Sequence, residues 1–128
     1  MSQMPYFPMF VNLRTKQVLV IGSGEEAMAC IRALLACTEQ ISVIALQEDK
    51  DLARLEKEGR IVLLRKEYDR EDLFGCDLCV AATDDDRVNN DIHAACRCLG
   101  IPVHVCGDAT KCDFFFSPVP AHAGSAES

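Results

Sequence analysis

Val18-Leu19-Val20-Ile21-Gly22-Ser23-Gly24-Glu25-Glu26-Ala27 is the stretch on which the fold turns. Its four apolar residues show no polar alternation, the pattern of a strand buried on both faces of a parallel sheet. The Gly-x-Gly-x-x-Ala that follows predicts a turn from strand to helix against which a pyrophosphate can lie. In that reading Gly22 closes the turn, Gly24 lets the main chain approach phosphate, and Ala27 lets helix and strand sit close together. The alternative is a glycine turn that only joins two elements. A strand before it and a helix after it place the dinucleotide reading ahead.

Downstream, Ala27, Met28, Ile31, Leu34 and Leu35 recur at helical spacing, which predicts a helix over residues 25–37 covering one sheet face. Residues 41–46 read as a second strand, 49–58 as a short amphipathic helix stopped by Gly59, and 61–64 as a third strand. A polar stretch over 65–72 precedes a fourth buried strand within 76–83. Val88, Ile92, Ala95, Cys96 and Leu99 then trace a helix ended by Gly100, and 101–106 form a fifth strand. Strands alternating with helices predict an α/β, Rossmann-like, doubly wound parallel sheet in the order 3-2-1-4-5. Upstream, residues 6–13 are apolar and broken by Pro8, which suits a short edge segment leading by a turn into the first strand. Residues 1–117 are expected to form the cofactor domain, with 118–128 a polar tail or the start of a dimerisation region.

Gln47 and Glu48 stand just after the second strand, where Rossmann units place a group on the adenosine ribose. Glu48 is readable either as a ribose ligand that favours NAD over NADP or as a solvated loop acid. Phe114-Phe115-Phe116 account for three of six phenylalanines. They are readable as packing of one more strand or as a surface for another chain, and the second reading is preferred.

The composition narrows the function further. Thirteen Lys and Arg against twenty Asp and Glu give a formal charge of −7, which disfavours nucleic acid and anionic membranes as partners. No apolar run approaches the ~20 residues of a membrane span, and the opening residues lack a secretory signal, so the cytoplasm is the expected compartment. The eight cysteines sit inside strand and helix patterns and are read as reduced thiols. Cys76-x-x-Cys79 with Cys96-x-Cys98 is not read as a zinc site. A separation of three along a strand points the first pair to opposite faces, and two residues along a helix diverge by ~200°. No metal ligand is assigned.

Four stretches together resemble the precorrin-2 dehydrogenase family, the NAD-dependent part of sirohaem synthase. They are Phe7-Pro8-Met9-Phe10-Val11-Asn12-Leu13, the glycine turn, Ala81-Ala82-Thr83-Asp84-Asp85-Asp86-Arg87-Val88-Asn89, and Cys112-Asp113-Phe114-Phe115-Phe116. The resemblance runs from Tyr6 to about Pro118. It implies NAD as hydride acceptor in the oxidation of precorrin-2 to sirohydrochlorin, with Fe2+ insertion in some members. It places pyrophosphate on Gly22, Ser23, Gly24, Glu25 and Glu26, adenosine beside Leu46 and Gln47, and the nicotinamide half near Thr83 and Asp84. The amides of residues 24–26 open a helix and attract an anion, so the Glu25 and Glu26 side chains should point away.

The chain also departs from the family. Gly107 stands where the family carries its general-base aspartate, with Asp108 one residue later, and Cys30 stands where the family usually has a lysine. Asp108 is the candidate base; His93 and His104 are weaker candidates, readable as a surface and a core histidine. Turnover is expected to need a homodimer or a partner, meeting through 112–118. A second reading is a non-catalytic NAD-binding or scaffolding subunit for another tetrapyrrole-pathway protein. The net negative charge speaks for it, because a polyanionic substrate needs a basic pocket.

Overall fold

The computed structural model describes residues 5–47 and 49–116. Five strands, β1 (Val18–Ile21), β2 (Ile41–Ile44), β3 (Val62–Leu64), β4 (Leu78–Ala81) and β5 (Val103–Val105), form one parallel sheet in the order β3-β2-β1-β4-β5. Three α-helices connect them: α1 (Glu25–Leu35), α2 (Lys50–Lys57) and α3 (Asp86–Leu99). The doubly wound architecture and its strand order are those the sequence predicts. β1 spans its whole apolar run, whereas β2, β4 and β5 stop one or two residues short of theirs at the carboxyl edge, where those residues enter the loops.

The alternation of β1 explains both layers. Val18 and Val20 point into a core shared with Ile31 and Leu34 of α1 and Leu52 and Leu55 of α2. Leu19 and Ile21 point into a second core with Ile92, Ala95 and Cys96 of α3. A central strand with helices on both faces has no use for polar residues, hence its unbroken apolar sequence. Ile21 pairs with Ile44 on one side and Ala81 on the other, so β1, β2 and β4 end level. Connections from β1 and β4 leave for opposite faces there, which opens the crevice where such sheets take ligands.

The opening segment differs from its expected form. Residues 6–13 form no strand; Phe7, Met9, Phe10 and Val11 are exposed, Leu13 reaches the first core, and Tyr6 folds back onto Phe115 with ring centroids 4.7 Å apart. Pro8 and the lack of a free neighbouring strand leave nothing to pair it. The polar stretch over 65–72 leads into a single turn of 3₁₀ helix, Arg70–Leu73, whose Leu73 is fully buried.

Phe114, Phe115 and Phe116 are half-buried. Phe114 and Phe116 lie against the first core and Phe115 against the second, the packing arrangement, although without a further strand. Cys112 and Asp113 replace that strand. The N–H of Val103 donates to the Asp113 carboxylate (3.0 Å) while the Asp113 N–H donates to the Val103 carbonyl (2.8 Å). The Cys112 thiol lies 3.2 Å from the Val105 nitrogen and 3.3 Å from its carbonyl oxygen.

No disulfide joins any of the eight cysteines. Cys76 and Cys79 do not point to opposite faces: Cys76 precedes β4, so strand alternation does not govern it, and both side chains belong to the α3-side core. Cys98 is exposed on α3 and takes no part in that cluster.

Candidate functional site

The glycine turn is clamped between the ends of β2 and β4. The N–H of Gly22 donates to the Ile44 carbonyl at 2.8 Å, and the Ala82 N–H donates to the Ile21 carbonyl at 2.8 Å. A Cβ on Gly22 would lie 2.1 Å from the Ala82 carbonyl oxygen, so only glycine lets β1 and the β4 loop meet. Gly24 is glycine for another reason. Its backbone (φ 101°, ψ −176°) belongs to a region closed to L side chains, while the space a Cβ would take is empty.

Gly24 is the N-cap of α1, and no side chain caps that helix. Elsewhere among the described residues an aspartate does so: Asp49 accepts from the Asp51 and Leu52 amides, Asp85 from Arg87, Asp69 from Glu71 and Asp108 from Thr110. The first helical bond of α1 runs from the Met28 N–H to the Gly24 carbonyl (3.0 Å), so the amides of residues 25–27 precede the ladder. Exposed amides at a helix start carry partial positive charge and suit a phosphate.

That turn forms one wall of a cleft of about 820 Å³, a volume suited to a cofactor. Gly22, Ser23, Gly24, Leu46, Gln47, Thr83 and Asp84 all line it, so seven of the sequence-predicted cofactor residues converge. Glu25 and Glu26 are exposed and outside the lining, the outward placement that their charge predicts. Glu48 lies outside the described residues. Thr83 is fixed by Asn89, 5 % exposed, whose side-chain oxygen lies 3.1 Å from the Thr83 nitrogen and 2.7 Å from its hydroxyl. The Asn89 amide returns a bond to the Thr83 carbonyl (3.0 Å). This pair sets the shape of the loop between β4 and α3.

Sequence reasoning missed Lys66, Tyr68, Arg87 and Asp91 in the lining. Lys66 and Tyr68 come from the polar stretch after β3, whose composition signals only a loop. Lys66 pairs with Asp72, and Asp91 is held by Arg70 at 2.7 Å, which keeps its carboxyl below the usual carboxylate range. The Tyr68 hydroxyl is buried without a hydrogen-bond partner, alone in this among the described side chains, and burial raises its pKa.

Asp108 stands outside the cleft lining, on the loop after β5. Its carboxylate accepts from the Thr110 hydroxyl at 2.5 Å and from the Thr110 amide at 3.2 Å, with Lys111 3.5 Å away. The Thr110 bond first, then Lys111, holds its pKa down. His93 lies on α3 away from the lining. His104 is half-buried in β5, its Nδ1 3.0 Å from the Phe114 carbonyl oxygen, which fits the core reading.

A parallel sheet with a glycine turn at its switch point and an uncapped helix above it defines a Rossmann-type dinucleotide-binding domain. The residues fit the group: open amides at α1, an empty space beside Gly24, and a cleft running past Leu46 on one side and Thr83 on the other. Residues 9–118 match the family model described as "Putative NAD(P)-binding", and the chain belongs to that family.

It is 33 % identical over 113 residues to the siroheme synthase of Psychrobacter sp. (strain PRwf-1), covering 88 % of this chain and 23 % of that protein. With the siroheme synthase of Pseudomonas putida (strain W619) it shares 36 % over 116 residues, covering 91 % and 25 %. The chain thus spans about a quarter of the length of these relatives. Among solved structures, SirC, a precorrin-2 dehydrogenase, superposes with a TM-score of 0.77 at 22 % identity, covering 95 % of this chain and 65 % of that one. An imine reductase from Myxococcus stipitatus in complex with NAD+ gives 0.51 at 18 % identity, over 76 % and 34 %. No helix among the described residues is long and apolar enough to cross a membrane.

Proposed function

We propose that this chain is the NAD-binding part of a precorrin-2 dehydrogenase, working in sirohaem synthesis in the cytoplasm as a dimer. The observation that carries this is the α1 N-terminus, the one helix start among those described that no side chain closes, opening beside Gly24 onto the cleft of about 820 Å³. The likeness to siroheme synthases over nine-tenths of the chain supplies the substrate class. NAD, when bound, accepts a hydride.

The chain's own residues then have separable tasks. The amides of 24–26 hold the diphosphate, Leu46 and Gln47 flank the adenosine, and the Thr83–Asn89 clamp presents Thr83 and Asp84 to the nicotinamide half. With the dinucleotide in the cleft, precorrin-2 in this reading lies beyond the rim, toward the Gly107 loop. Asp108 takes the proton there, ionised because Thr110 and Lys111 keep its pKa low. Pairing through residues 112–118 is supported by the exposed apolar side chains of Phe7, Met9, Phe10 and Val11, which follow in sequence the Tyr6 that lies against Phe115.

A second reading, a non-catalytic NAD-binding subunit, is favoured by one observation: Gly107 replaces the family's aspartate and Asp108 is engaged by its own turn. NAD+ titration followed by a precorrin-2 turnover assay, at concentrations where dimers form, decides between them. The dehydrogenase reading expects oxidation that Asp108→Ala abolishes without changing NAD+ affinity. Binding without oxidation leaves the second reading; absence of NAD+ binding removes both.

A further inference from the structure

Strand alternation sends Val103 and Val105 of β5 toward α3 and turns His104 and Cys106 to the other face. Cys106 and Cys30, the latter from α1, share the core on that face, with Phe114 and Phe116 against it. The Cys30 and Cys106 sulfurs are 3.9 Å apart, and one ligand atom from each of Cys30, His104 and Cys106 lies within 4.8 Å of the others. No other group of three or more His, Cys, Asp or Glu among the described residues could hold an ion in this way. None of the three lines the dinucleotide cleft.

We propose that Cys30, His104 and Cys106 form a binding site for a thiophilic divalent cation of the Zn2+ type, with its fourth position open.

Coordination distances support the assignment. Two thiolates at ~2.3 Å on a tetrahedral Zn2+ lie about 3.8 Å apart, and a thiolate and an imidazole nitrogen about 3.6 Å apart. The sulfurs already stand at the first spacing, so only the ring and its neighbours need close in by a fraction of an ångström to about one. The imidazole is also oriented for the task. A carbonyl oxygen only accepts, so at 3.0 Å from the Phe114 carbonyl it is Nδ1 that carries the proton, leaving Nε2 as the atom that can ligate. A backbone carbonyl fixing the tautomer of a ligating histidine is the usual outer-sphere arrangement.

Phe114 and Phe116 flank the ring with centroids 5.9 and 5.1 Å away and limit its rotation.

Binding converts two S–H groups into thiolates: two metal–sulfur bonds form, two S–H bonds break, and both protons leave to solvent, with no change of oxidation state. Three protein ligands leave the fourth position to water or another donor. The ion would join α1 to the β5 edge across 76 residues of sequence. None of this depends on the cofactor reading.

The test uses the whole chain, stripped of metal and kept reduced by a phosphine. Titration with Co2+ alone should give one ion per chain, a sulfur-to-cobalt charge-transfer band, the intense visible bands of a tetrahedral ion, and two protons released per metal. Zn2+ should displace it. Cys30→Ser, Cys106→Ser and His104→Ala should each weaken binding by more than about tenfold, the lower bound even for disturbing an outer-sphere partner. Cys37→Ser and Cys98→Ser, at exposed thiols, should leave it unchanged. Circular dichroism establishes that each variant is folded. X-ray absorption on the wild-type zinc form should count two sulfurs, so a misfolded variant does not block the decision. Absence of stoichiometric binding, four sulfurs, or bands that survive Cys30→Ser would overturn the proposal.

Discussion

Replacing the two glycines of the turn should break the protein in two different ways. In Gly22→Ala the new methyl meets the Ala82 carbonyl oxygen at 2.1 Å and its carbon at 2.4 Å, both backbone atoms, at φ 131°. Relief requires parting β1 from the β4 loop, which the Ala82-to-Ile21 bond opposes. Overpacking costs about 1–3 kcal/mol and the forbidden backbone about 1–3 kcal/mol. The sum, roughly 2–6 kcal/mol, is a large part of the ~5–15 kcal/mol that holds a domain together.

Gly24→Ala meets nothing within 4 Å and bears only the backbone term, about 1–3 kcal/mol. Its methyl instead enters the space assigned to phosphate, so it should stay folded at 25 °C while its Kd for NAD+ rises at least tenfold, about 1.4 kcal/mol. Gly24→Val should be worse still. Urea unfolding and calorimetric NAD+ titration measure the two effects separately. A Gly22→Ala protein as stable as wild type would refute the close-approach argument. An unchanged Kd in Gly24→Ala would mean that the diphosphate does not lie on this turn.

Tyr68→Phe should leave stability unchanged or raise it by up to about 1–3 kcal/mol, because the hydroxyl it removes is buried and unpartnered; a lower urea midpoint would reveal a partner for that oxygen. Asn89→Ala frees the Thr83 N–H and carbonyl together and should cost about 1–3 kcal/mol. It should also weaken NAD+ binding, and a loss of stability with unchanged affinity would separate the clamp from the site. The carboxyls of Glu56, Asp91 and Asp108 titrate below their ordinary values, held by Arg65, Arg70 and Thr110 respectively. Their contribution is therefore complete above the unfolded pKa of about 4 and is lost as pH falls through the lower folded values. Unfolding midpoints followed from pH 6 to pH 2, taken as a roughly bracketing range, should fall only in the acid part of it; a flat profile would contradict the depressed values.

The sheet order and the glycine turn were legible because both follow from local pattern. Unbroken apolar runs mark doubly buried strands, and a glycine pair between strand and helix has few structural uses. Asn89 was quoted within a motif, but its role depends on Thr83 six residues earlier folding back beneath it, which no periodicity encodes. Lys66 and Tyr68 reach the cleft because β3 is short, so that a polar loop passes over the sheet edge. Cys30 and His104 were noticed singly but not as a group with Cys106, because α1 and the end of β5 are brought to one face of the sheet by the fold, whereas spacing rules detect ligands on one element. The reading of Cys76 and Cys79 failed for a related reason: alternation was applied to Cys76, two residues before the strand begins at Leu78.

Cys112 and Asp113 have a consequence for how molecules of this chain meet. They occupy the outward N–H and carbonyl groups of both Val103 and Val105, so that margin of the sheet has no main-chain valence left for a newcomer. The opposite margin, β3, is three residues long with Val62 and Leu64 exposed. Sheet-to-sheet stacking in crowded solution would then begin on that flank alone, and a charged residue at position 62 should suppress it while leaving the crevice untouched.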